Sequence, residues 1–275
     1  MAGVDAAAVK AMPRPAPWQA LAWRLAPFFS IGLLLIAWEA LARSGTFTPF
    51  VLPAFSSVVA RIWSDAITGD LLINTGLTLY RAIVGFLISA IGGVAIGMAM
   101  SRSVGVRWFF DPIISVGFPM PKIAFLPVVI LWLGLYDLSK ISIIVFDAIF
   151  PVVTATIAGI KGVERELLWS ARNMGARDRE MLWQIVLPAA LPMIMTGLQV
   201  ALPLSMIVAV VAEMLMGGYG IGGAMMTASR FADSPGVFAG IVEIALVGLV
   251  LVKGMTMLRR RLLIWHQEAN EPTTA

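Results

Sequence analysis

The chain contains no cysteine and one histidine, His266, which lies in the polar C-terminal tail. These absences exclude a disulfide framework, a thiolate metal site and any His-based metal cluster or catalytic triad. Charge is also scarce. Only 13% of the 275 residues are Asp, Glu, Lys or Arg, against about 25% in an ordinary soluble domain. There is no G-x-x-x-x-G-K-[ST] segment, so the chain has no phosphate cradle of its own. What it has in abundance is apolar residues, 59% of the total, with a mean hydropathy of +0.89. That balance predicts an all-α integral membrane protein, a polytopic bundle. A pI near 9.8 could suggest nucleic acid, but the basic residues sit beside apolar segments, which fits a membrane protein and no nucleic-acid partner.

Six apolar segments are predicted to span the membrane: about 25–42, 82–100, 113–134, 141–160, 188–212 and 237–257. Each is near the ~20 residues that cross a hydrocarbon core. They make a transmembrane domain over 25–260, between tails at 1–24 and 261–275. Ala40-Leu41-Ala42 also reads as a small-x-small cleavage site, so a signal peptide competes with the first span.

With six spans and both ends cytoplasmic, 14 Lys and Arg residues fall inside and 5 outside, with Lys122 within a span. That bias orients the chain with both termini in the cytoplasm. Between the first two spans, Val58, Val59, Ile62, Trp63, Ile67 and Leu71 recur at helical spacing and predict an interfacial helix on the outer side.

The most polar internal stretch, "WSARNMGARDREMLWQIVLPAALP", is assigned to the cytoplasm within a loop spanning 163–187. Leu167, Leu168, Ala171 and Met174 fall on one helical face, with Arg165, Arg172 and Asn173 largely elsewhere. Gly175 can end this helix in a left-handed conformation, and Asp178 can cap a second one over Arg179 to Val186. Pro188 and Pro192 suit the start of the next span. An amphipathic element on two spans suits a mechanical contact with a soluble partner. An ordinary loop with a helical turn is the plain alternative.

Other constellations are weighed in the same way. Gly85, Ser89, Gly93, Gly97 and Ser101 recur every four residues and predict a smooth helix-packing face. "GYGIGG", Gly218 to Gly223, matches a dinucleotide fingerprint but follows a membrane span rather than a strand, and reads as a flexible turn. Lys122, Asp147, Glu213 and Glu243 are ionisable groups in or near spans, each required to face protein or water. Lys122, Glu213 and Asp147 are candidates for a translocation path in which Lys122 attracts an anion; internal pairing is the competing reading. Pro119, Pro121 and Pro127 break the helix around Lys122, and irregular backbone at that depth needs a cavity or protein to satisfy it.

The spacing Ala171-x3-Gly175-x9-Ile185-x-Leu187-Pro188 resembles the "EAA" loop of the inner-membrane permeases of ATP-binding-cassette importers. Further segments extend the resemblance over Leu52 to Gly240, including "DPIISVGFPMPKIAFLPVVILWLGL" and "VVAEMLMGGYGIGGAMM", and together they look like the nitrate/sulfonate/taurine-type permeases.

The resemblance implies a type I importer permease fold with a cytoplasmic coupling helix, in a multi-pass bacterial inner-membrane protein. It also implies ATPase subunits that bind ATP–Mg, no cofactor in this chain, a second copy making a homodimer, a periplasmic or extracellular substrate-binding protein, and contact with membrane lipid. The solute would be a small anion such as nitrate, a sulfonate or taurine, or a thiamin-precursor pyrimidine. The coupling residues carried over are Glu166, Trp169, Ala171, Arg172, Gly175, Ile185, Leu187 and Pro188. Trp169 stands where the family has its leading Glu, and Glu166, almost one turn earlier, can supply that charge. A partner-independent channel or ion-coupled transporter is the alternative; it favours inverted repeats and paired intramembrane charges.

Overall fold

The computed structural model describes residues 17–265, with side chains from residue 29 onward; His266, Lys10 and Arg14 lie outside the described residues. Every regular element in this range is helical. In order these are α1 (Pro17–Arg43), α2 (Phe55–Thr68), α3 (Asp70–Arg102), α4 (Val104–Gly117), a 3-10 turn (Lys122–Phe125), α5 (Leu126–Leu133) and α6 (Asp137–Lys161). Then come α7 (Arg165–Asn173), α8 (Asp178–Glu180), a π turn (Met181–Val186), α9 (Leu187–Met216), α10 (Ile221–Arg230) and α11 (Ser234–Leu262).

The core packs α3, α6 and α9 against one another, with α6 making the most extensive contact to both of the others. Small residues let the backbones approach. A Cβ built on Gly93 would lie 2.7 Å from Val152 Cβ, and one on Gly97 would lie 2.7 Å from Thr156 Cβ. Gly85 faces Ile144, and Ser89 donates to Gly85 O at 2.8 Å. Gly85, Ser89, Gly93 and Gly97 of this face therefore meet α6 of the same chain. On another face of α6, Gly159 faces Ala190 of α9, and Gly197 of α9 faces Ala155 of α6. Without a hydrophobic driving force between helices in lipid, such close contact is what binds them.

Among the described residues, four unbroken helical stretches are long and apolar enough to cross a membrane: Asp70–Arg102, Asp137–Lys161, Asp178–Met216 and Ser234–Leu262. The predicted span 113–134 is not one helix. It ends at Gly117 and resumes at Lys122, and the two parts are bent by 96°. The physical cause lies in Pro119 and Pro121, which cannot carry the helical ladder, while Pro127 sits at the permitted start of α5.

Helix α3 starts twelve residues before the predicted 82–100. Its first turns carry Asn74, Thr78 and Arg81, which depress hydropathy yet are satisfied by internal partners. The predicted interfacial helix is α2. It buries Val58, and Trp38 of α1 anchors its entry by donating to Pro53 O at 3.0 Å and packing at a tilt against Phe55.

Candidate functional site

Helix α6 runs the depth of the bundle: its 25 residues at 1.5 Å each span about 37 Å. One of its ends leads into α7 and the other holds the turn before α10, so the two polar regions of the molecule lie at opposite ends.

At the first end, α7 buries Ala171 and half-buries Leu168 against the chain. Leu167, Trp169 and Met174 point away, so the four apolar residues assigned to one face divide between two, and Trp169 is 58% exposed. Gly175 adopts φ +84 and closes the helix with a double hydrogen bond: Gly175 N donates to Arg172 O at 2.9 Å and Ala176 N to Ala171 O at 3.1 Å. This paired pattern satisfies carbonyls that the helix end would leave open.

The next helix starts one residue earlier than expected. Arg177 occupies the cap position, Glu180 Oε2 accepts from its N–H at 2.8 Å, and Asp178 is the first helical residue. The chain then runs through the π turn directly into α9. Leu187 N donates to Leu182 O, five residues back, immediately before Pro188, whose missing N–H removes the usual bond to position 184. Ile185, Leu187 and Pro188 are half-buried on this continuous rod, while Glu166 and Arg172 are exposed on α7.

At mid-bundle the structure brings Lys122 and Asp147 together. Lys122 Nζ lies 3.2 Å from Asp147 Oδ1, and it donates to Phe118 O at 2.8 Å. Glu213 is elsewhere, with none of its surface exposed. It accepts from Arg81 Nη1 at 2.6 Å, Thr78 Oγ1 at 2.8 Å and Gly222 N at 3.1 Å. Arg81 also donates to Tyr219 O at 2.7 Å and pairs with Asp137. Lys140 donates to Gly217 O at 3.1 Å, and Asn74 accepts from Gly220 N at 2.9 Å. The glycine turn that reads as flexible is therefore pinned from α3, α6 and α9. Glu243 on α11 accepts from Thr75 Oγ1 on α3.

Sequence reasoning missed Arg81, Thr78, Asp137 and Lys140. Arg81 and Lys140 each fall one residue outside a predicted span. The available signal was Glu213 itself: a carboxylate amid an apolar helix demands a cationic partner.

Beside the pinned turn lies a cavity of about 430 Å³ lined by Arg61, Asp65, Asn74, Tyr219, Thr227 and Phe231 among others. Arg61 bridges it, pairing with Asp65 at 2.9 Å and with Asp233 at 2.5 Å. No group of three metal-ligating side chains occurs among the described residues.

Comparison with known proteins gives a consistent picture. The pattern defining the binding-protein-dependent transport system inner membrane component matches residues 91–264. The chain is 32% identical over 244 residues to the taurine transport system permease protein TauC of Escherichia coli strain K12, covering 87% of this chain and 89% of that one. It is 33% identical over 240 residues to the putative aliphatic sulfonates transport permease protein SsuC of Bacillus subtilis strain 168, covering 86% and 87%. Among solved structures, an amino acid ABC transporter aligns with a TM-score of 0.59 at 16% identity, over 71% of this chain and 95% of that one.

Proposed function

From the premise that this chain belongs to the family of binding-protein-dependent transport system inner membrane components, we propose that it carries a small anionic solute, a sulfonate of the taurine class, across the membrane. The chain is the permease subunit of an ABC importer, a multi-pass inner membrane protein and not an enzyme. Family membership brings two kinds of partner, an ATPase and a substrate-binding protein.

In this reading the 163–187 loop is the coupling element. ATP–Mg is bound by the partner ATPase, two copies of the permease form the pore, and both termini are cytoplasmic. The observation that carries the coupling role is the geometry of α7. A C-capped helix presents Leu167 and Trp169 outward, with Met174 exposed at its end, and it is joined through one short turn to a rod that continues into the core helix α9. Displacement of α7 by a closing ATPase then reaches the bundle without an intervening flexible loop. A ligand-driven shift of this kind needs only differential contact with the two states.

The test is co-purification. The chain is co-expressed with ATPase subunits of its own cell and isolated by a tag, beside a variant carrying Ala171→Asp and Gly175→Arg. The expected result is an ATPase retained by the native protein and lost from the variant at equal membrane levels. Full retention by the variant refutes the coupling role. Uptake of labelled taurine by cells with and without the complex tests the solute class.

A further inference from the structure

The break between α4 and α5 is held to α6 by one compact cluster. Lys122 opens the 3-10 turn, and its Nζ lies 3.2 Å from Asp147 Oδ1, 2.8 Å from Phe118 O and 4.8 Å from the centre of the Phe150 ring. Lys122 is 8% exposed and Asp147 is half-buried beside it. Gly117 lets the end of α4 sit on the same ring, because a Cβ there would lie 2.5 Å from Phe150 Cε1. Phe125 meets Phe146 edge-on at 5.8 Å. Among the described residues, Lys122–Asp147 is the only ion pair joining the α4–α5 segment to the rest of the bundle, while Trp108, Leu131 and Trp132 on that segment are open.

An ammonium has three donors and no acceptor. Those of Lys122 already face a carboxylate, a carbonyl and an aromatic ring, and its charge is cancelled at contact distance. A solute anion would have to displace Asp147 to reach it. Removing either partner of a buried pair leaves a stranded charge, whereas replacing both leaves none.

We infer that Lys122 and Asp147 are positioning residues, a neutral clip that sets the bent segment against α6 for the transport cycle, and that Lys122 offers the solute no free positive charge. The inference rests on the permease reading above. It makes the pair, rather than the lysine, the functional unit.

The test uses the purified permease–ATPase complex with four variants: Lys122→Met, Asp147→Asn, the double Lys122→Met/Asp147→Leu, and the swap Lys122→Asp/Asp147→Lys. The readouts are thermal midpoint and basal ATP hydrolysis per folded complex, neither of which requires a solute. Each single variant is expected to hydrolyse ATP about fivefold more slowly or worse, and at least one paired variant to return within about twofold of native. A single variant too unstable to purify counts with the clip when its paired variant purifies normally. Additive losses in both paired variants overturn the clip. So does full activity in Asp147→Asn with loss in Lys122→Met and the swap, because Lys122 would then act by its own charge. Lower midpoints with unchanged hydrolysis per complex reduce the pair to packing and overturn the positioning role. If the native chain retains no ATPase, the functional reading fails instead, and the midpoints still report whether the two residues act as a pair.

Discussion

Arg81 on α3 and Glu213 on α9, 132 residues apart in sequence, meet at 2.6 Å with 4% and 0% of their surfaces exposed. The pair does more than neutralise itself. Through Thr78, Asp137, Tyr219 O and Gly222 N it ties the ends of three core helices to the turn that opens α10.

Two arginines at the same end of the bundle should therefore respond very differently. Arg81→Met strands the Glu213 carboxylate and is expected to cost about 3–5 kcal/mol, seen as poor accumulation and a lower thermal midpoint. Arg61→Ala removes two more exposed pairs, to Asp65 and Asp233, and is expected to cost at most about 1 kcal/mol. Equal midpoints for the two variants would contradict the assignment of Arg81 to the buried network.

Adjacent glycines on α3 make a sharper comparison. A Cβ on Gly92 would stand 3.5 Å from Ile149 Cδ1, an ordinary contact, whereas one on Gly93 would stand 2.7 Å from Val152 Cβ. Gly92→Ala is expected to be neutral or to stabilise by about 0.5–1 kcal/mol, since Ala is the better helix former. Gly93→Ala forces α3 away from α6 and should cost about 1–3 kcal/mol. Thermal unfolding of the two purified variants, measured side by side, decides it.

The glycine face was legible in the sequence because a period of four survives folding as a helix stripe. The sequence did not identify α6 as its neighbour. Long apolar runs marked α3, α6, α9 and α11, and the prolines of "FPMPK" marked the place where α4 and α5 part. The 96° bend brings Gly117 and Lys122 onto Phe150 of α6, a packing that no local pattern encodes. Hydropathy also misplaced the polar first turns of α3. Arg81 lowers the local average, yet its cost is offset by Glu213, a partner far outside any window.

The turn 217–220 should tolerate change at its tip and not at its base. Tyr219 projects outward and Tyr219→Ala is expected to leave folding intact. Gly220 holds φ +128, and a Cβ there would run into the Glu213 carboxylate. Gly220→Ala combines backbone strain of about 1–3 kcal/mol with disruption of the buried pair, and should fail to accumulate in membranes. Comparable membrane levels for the two variants would show that the turn is not pinned as described.

Trp169, at 58% exposure, is the largest apolar side chain offered by α7. If it is the anchor of the ATPase contact, charge at this position is dispensable and apolar area is not. Trp169→Ala is then expected to weaken ATPase binding by about 2 kcal/mol or more, near thirtyfold, as for an aromatic hot spot. Glu166→Gln, on the same helix and exposed, should change it less than about threefold, in keeping with a rim charge. Titrating the ATPase onto nanodisc-embedded permease gives both numbers. The reverse order, a large loss in Glu166→Gln and none in Trp169→Ala, would mean that Glu166 carries the contact and that the docking surface is electrostatic.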